Sequence, residues 1–150
     1  MALMGEMVVR IWDVKHGACA MLCHQVSGYA GRLAMIDSGD TNEWRPSTHI
    51  SGVLGRSELD YLFITNADQD HMSDLEGLWD AGIKVKTLIR NPHPSADQLR
   101  KIKVAGGMYR DIERFLGIHA SYNHPATAPF NDHMGGIVFR SYYKIGRAHV

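Results

Sequence analysis

Four side chains able to hold a metal ion fall within six residues in the run Asn66-Ala67-Asp68-Gln69-Asp70-His71. Carboxylate and amide oxygens and imidazole nitrogen are ordinary ligands for Zn²⁺, Mn²⁺ and iron. Residues 66, 68 and 70 alternate, so an extended loop would aim them to one side. Asp70 and His71 are neighbours and can reach one ion only if the chain turns there. The same residues also suit a plainer role, a solvated loop whose aspartates cap the next helix. Residue type alone leaves both readings open.

The elements around this run must position it. Leu59 to Thr65 is the most apolar stretch and reads as a buried strand ending at the loop. Beyond the loop, Ser73 or Asp74 can cap a helix carrying Leu75, Leu78 and Trp79 that closes at Gly82. Upstream, residues 7–14, 18–25 and 32–36 read as three strands joined by turns at His16-Gly17 and Ser27–Gly31. Pro46 to Leu54 reads as a short helix with proline in its first turn. Downstream come a strand over 85–89, a helix over 96–104 capped by Ser95, and a helix over 108–116 ending at Gly117. Asn123 to Asp132 reads as loop and Ile137 to Tyr143 as a last strand. A three-strand antiparallel start followed by strand–helix units predicts an α/β (α+β) fold, with helices packed outside the sheet. In such folds ligand sites gather at strand C-terminal ends.

Composition narrows the class. The 150 residues hold 45 % hydrophobic and 21 % charged side chains, ordinary globular values that exclude a disordered tail, a collagen-like repeat or a disulfide-dense miniprotein. Sixteen basic residues balance sixteen acidic ones, so no general charge draws the chain to nucleic acid or anionic membrane. Cys19 and Cys23 would lie ~13 Å apart along one strand, too far to bridge, and read as buried free thiols. Reduced thiols suit a cytoplasmic protein. No signal peptide and no membrane segment is read in this chain. Trp12, Trp44 and Trp79 are expected to pack. The basic run Arg100, Lys101, Lys103 reads as a solvated helix face. His24, His49 and His119 read as ordinary surface or partly buried histidines; His93, His124 and His133 are minor site candidates.

The loop resembles the His-x-His-x-Asp-His motif of the metallo-β-lactamase superfamily, and looks most like the hydrolase domain of ComEC-type competence proteins, where the second histidine is often aspartate. Asp13-Val14-Lys15-His16-Gly17-Ala18-Cys19-Ala20 is similar to that domain's opening Asp-Val-Gly-x-Gly-Asp-Ala. Met35-Ile36-Asp37-Ser38-Gly39 is similar to its Ile-Asp-x-Gly, and His124-Pro125, Asn131-Asp132 and Ile137–Phe139 to its later His-Pro, Asn-x-x-Ser and strand. The resemblance spans roughly residues 7–143.

It implies the N-terminal portion of an αββα sandwich with a metal centre at one sheet edge. Asn66 and Asp68 fall on the first-metal positions, and Asp70 and His71 on the second. Asp70 takes the catalytic role of orienting the attacking water; Asp37 is a supporting residue that holds the loop. His16 is a further supporting candidate near the opening of the site. The implied cofactor is a divalent metal, Zn or Mn, as one or two ions. Asn66 departs from the family's histidine and, with Asp68, favours a harder ion such as Mn²⁺ or Mg²⁺. The implied function is a metal-dependent hydrolase acting on phosphodiester or related ester bonds through a metal-bound water, with a small-molecule or nucleic-acid substrate. The alternative is an inactive domain of the same fold used for binding or regulation.

The last six residues, Ile145 to Val150, match one reading frame of a common sequencing adapter. Residues 1–144 therefore read as a partial metallo-β-lactamase-like domain and 145–150 as a non-native tail. The family's remaining ligands are expected past Tyr143.

Overall fold

The computed structural model describes residues 5–27, 29–122 and 139. Five strands form one sheet in the order β1-β2-β3-β4-β5. The strands β1 (Glu6–Ile11), β2 (Ala20–Val26) and β3 (Tyr29–Ile36) run antiparallel. The strands β4 (Glu58–Ile64) and β5 (Lys84–Arg90) then continue parallel to β3. Parallel neighbours need a crossover. The first is α1 (Pro46–Thr48) running into a π turn, His49–Val53; the second is α2 (Leu75–Asp80). Two further helices, α3 (Ala96–Gly106) and α4 (Arg110–Ser121), follow β5.

Strand alternation sorts the core into two faces. Met21, Leu33, Met35, Leu62 and Ile64 pack with Ile50, Leu75, Leu78, Leu99, Ile112, Phe115 and Leu116 from the helical elements. Leu22, Ala34, Tyr61 and Phe63 share the other face with Met7, Ile36 and Ile89. The Phe139 ring lies 4.7 Å from that of Phe63 on this second face. Because β3 and β4 bury side chains on both faces, they read as near-continuous apolar runs. The fold is thus mixed α and β, and the described residues contain one sheet; the second sheet of a sandwich is not among them.

Several sequence expectations shift. The first strand ends at Ile11 rather than Val14, because Lys15 adopts a left-handed conformation at φ 63° and turns the chain. Gly117 does not end the last helix, which runs to Ser121 because Ile118 and His119 continue its buried face. His119 and His24 are buried, deeper than the surface or partly buried positions expected of them. The His119 ring lies between the Arg90 Nε, 3.1 Å from Nδ1, and the Pro94 carbonyl, 3.0 Å from Nε2. Ser95 does cap α3, in a reciprocal box with Gln98. The loop over 123–132, the strand over 137–143, His124, His133 and the tail 145–150 lie outside the described residues, Phe139 apart.

Candidate functional site

Residues β3 and β4 are parallel neighbours, with Ile36 opposite Phe63, so the loops leaving them emerge together. Asp37 is the first residue after β3, and its backbone N–H donates to the Phe63 carbonyl at 2.7 Å. It takes a left-handed φ of 58°, a conformation that short polar side chains tolerate better than most. That turn places its carboxylate across the end of β4. Asp37 is 2 % exposed. Its Oδ1 accepts the Thr65 backbone N–H at 2.7 Å, and its Oδ2 accepts the Thr65 hydroxyl at 2.5 Å. The same Oδ2 lies 2.9 Å from His71 Nδ1.

His71 reaches that position because the loop turns. Asp68 is extended, at φ −100° and ψ 151°, and Gln69–His71 then form one 3₁₀ turn. The alternation expected to aim residues 66, 68 and 70 to one side therefore ends at Asp68. Backbone bonds lock the turn to the neighbouring loop: Ser38 N–H donates to the His71 carbonyl at 2.8 Å, and Asp74 N–H to the Ser38 carbonyl at 2.9 Å. Met72, fully buried, anchors the far end. Two glycines permit the approach. A Cβ on Gly17 would stand 2.2 Å from the Asp70 carbonyl oxygen, and one on Gly39 would stand 2.7 Å from it. The turn after β1, the turn after β3 and the loop after β4 thus meet at one sheet edge.

The two halves of the loop differ. Among the described residues, the Asp70 carboxylate and the His71 Nε2 have no hydrogen-bond partner. Asn66 donates its amide to Asp68 Oδ2 at 2.7 Å, and the Lys103 ammonium, from α3, pairs with Asp68 Oδ1. The lysine contact, more than any other influence, holds the Asp68 carboxyl below its ordinary pKa. By sequence Lys103 belongs to a solvated helix face; its contact with Asp68 spans 35 residues and arises only when α3 packs. Gln69 is held by Asp111 of α4, whose Oδ2 accepts the amide at 2.9 Å while Oδ1 accepts Glu76 N–H at 2.9 Å. Ser73 and Asp74 do not cap α2 with their side chains. Ser73 Oγ accepts Asp40 N–H at 2.9 Å and Asp74 Oδ2 accepts Ser47 N–H at 2.7 Å, tying the β3–α1 loop to the site.

His16 is exposed in the β1–β2 turn, one residue before Gly17. His93 is exposed in the β5–α3 loop. Trp12 and Trp44 stack on each other, ring centroids 4.5 Å apart, with His49 against both. Cys19 is buried, and desolvation pushes its thiol up to about 12, so at neutral pH it is a protonated core thiol.

Among the described residues no three His, Cys, Asp or Glu side chains gather closely enough to hold an ion by themselves. Donor atoms left unengaged lie in one half only, and two of them do not by themselves make a metal site. His71, oriented through Nδ1 by a buried carboxylate, has the arrangement of a metal-binding imidazole, with Asp70 adjacent. Asn66 and Asp68 are engaged with each other and with an ammonium.

The fold and this edge define a mixed α/β protein with a polar cluster at the carboxyl ends of two parallel strands. Compared with protein-family models, curated proteins and solved structures, the chain matches none. No helix among the described residues is long and apolar enough to cross a membrane.

Proposed function

We propose that this edge serves a divalent-metal-dependent hydrolase acting on phosphodiester or related ester bonds, of the metallo-β-lactamase type that the loop resembles. The observation that carries the reading is the 2.9 Å hydrogen bond between buried Asp37 and His71 Nδ1. It fixes the imidazole ring and leaves Nε2 as the free ligand atom. His71 and Asp70 would hold the ion, Mn²⁺ or Zn²⁺. When bound, such an ion lowers the pKa of a water toward neutrality and offsets charge on the attacked group. Asp37 keeps the ring in one tautomer and one orientation. Asp70, adjacent and unpartnered among the described residues, would orient the attacking water. The second sheet of the sandwich would cover the face where Phe139 meets Phe63.

Metal content tests this directly. The full-length protein, loaded with Mn²⁺ and dialysed, should retain metal and cleave bis(p-nitrophenyl) phosphate. Asp70→Ala and His71→Ala should lose both properties while keeping the parent's circular dichroism. Equal metal in parent and variants would overturn the reading, and a binding or regulatory domain would then be the better description.

A further inference from the structure

The His119 ring joins three elements through groups of fixed polarity. It is buried on α4 and stacks on Phe115, ring centroids 5.4 Å apart. An arginine N–H can only donate, so Nδ1, 3.1 Å from Arg90 Nε, must offer its lone pair. The ring proton then sits on Nε2 and is donated to the Pro94 carbonyl at 3.0 Å. Arg90 Nη2 also donates to the His119 carbonyl at 2.8 Å and to the Tyr122 carbonyl at 2.5 Å, closing the last turn of α4. Neutral His119 thus ties the end of β5, the β5–α3 loop and the end of α4 together.

Nothing among the described residues welcomes a second ring proton. β5 presents the Arg90 guanidinium, and the loop presents an uncharged carbonyl. On α4 the Tyr122 hydroxyl is committed to the Val85 carbonyl at 2.8 Å. The α3–α4 ion pair, Arg100–Glu113, is half exposed and lies near the other end of α4. Burial holds the ring's pKa below its ordinary 6.5; the Pro94 carbonyl opposes that lowering, and the Arg90 charge adds to it. A protonated ring would set an imidazolium N–H against a guanidinium N–H, two like charges and two donors with no acceptor between them.

We propose that His119 is an acid-sensitive clasp: neutral, it joins β5, the β5–α3 loop and the last turn of α4, and protonation of Nδ1 expels the Arg90 N–H and releases that loop and turn. Arg90 lies opposite Ile64 in the sheet, so the released loop stands beside the one that follows β4. It also leads into α3, whose Lys103 meets Asp68. The clasp does not rest on the function proposed for that edge.

Amide hydrogen exchange in the full-length protein tests this, with rates corrected for the intrinsic effect of pH. The Tyr122 N–H, bonded to the Ile118 carbonyl, and the His93 N–H, bonded to Asn91 Oδ1, report the turn and the loop. Between about pH 7.5 and about pH 5.5 their opening should rise about tenfold, because the released ring holds a proton that the clasped ring does not. The amides of β4 should not follow. His119→Gln, which can accept from Arg90 and donate to Pro94 but cannot titrate, should abolish the rise. A parent with no rise, a rise shared equally by β4, or a rise kept in His119→Gln would overturn the inference. Should His119→Gln not fold, histidine NMR of the parent decides. Nε2 should carry the proton at neutral pH, and the ring should titrate below 6.5. A proton on Nδ1, or a ring titrating at 6.5 or above, would overturn the inference as well.

Discussion

The two halves of the loop after β4 are built by different means. The Asp37–His71 half is set by buried backbone. Asp37 is 2 % exposed, accepts two donors from Thr65 and holds His71, while the turn carrying His71 is bonded to Ser38. The Asn66–Asp68 half is held from outside by one lysine on a helix, with Asp68 53 % exposed. Buried polar groups strengthen one another and are costly to leave unpaired, whereas an exposed ion pair competes with water and salt. One half is therefore fixed by folding. The other can be retuned by a single substitution at Lys103.

The largest effect should come from emptying the buried half. Asp37→Ala orphans the Thr65 N–H and removes the partner of His71, and should cost ~3 kcal/mol or more in urea denaturation. If it costs as little as a surface change, Asp37 does not organise the loop. Next is the contact beneath it. Gly17→Ala drives a Cβ against the Asp70 carbonyl and should cost ~1–3 kcal/mol, with Mn²⁺ affinity falling alongside. Gly52→Ala, where an added Cβ meets nothing, is the control and should keep the parent's affinity.

The exposed half should respond more gently. Lys103→Gln should change stability by less than ~1 kcal/mol, because the carboxylate it pairs with is half exposed. A loss as large as that of Asp37→Ala would erase the contrast between the halves. The pH dependence has a definite sign. Lys103 holds the folded-state Asp68 carboxyl below its ordinary value of 3.8, so its contribution is present above that value. It is lost as pH falls through the lower folded value. Lys103→Gln should remove this acid-side component from a plot of urea midpoint against pH, and Lys103→Arg should restore it. The smallest effect is expected from salt. Raising ionic strength from about 0.05 M to about 1 M should weaken the Lys103 pair and leave the Asp37–His71 half unchanged. This is read as a histidine NMR signal for His71 that does not move.

Local pattern by itself determined the presence of β1 to β5, the Ser95 capping box and the placement of Asn66–His71 after a buried strand. Those features depend on side-chain period and on groups a few residues apart, which a linear sequence displays. Sequence places Asp70 beside His71; the 3₁₀ turn over Gln69–His71, which bends the chain there, is a feature of the folded loop. Tertiary structure alone decided the rest. Asp74 looks like a helix cap but spends its carboxylate on Ser47, 27 residues away, because the β3–α1 loop brings a buried N–H to it. Gly117 looks like a stop signal, yet the helix continues because Ile118 and His119 gain a buried face. Lys103 looks solvated until α3 is docked and its ammonium meets Asp68. In each case a partner far along the chain outbids the local preference, since local terms are worth about 1 kcal/mol and a buried donor or charge without its partner costs more.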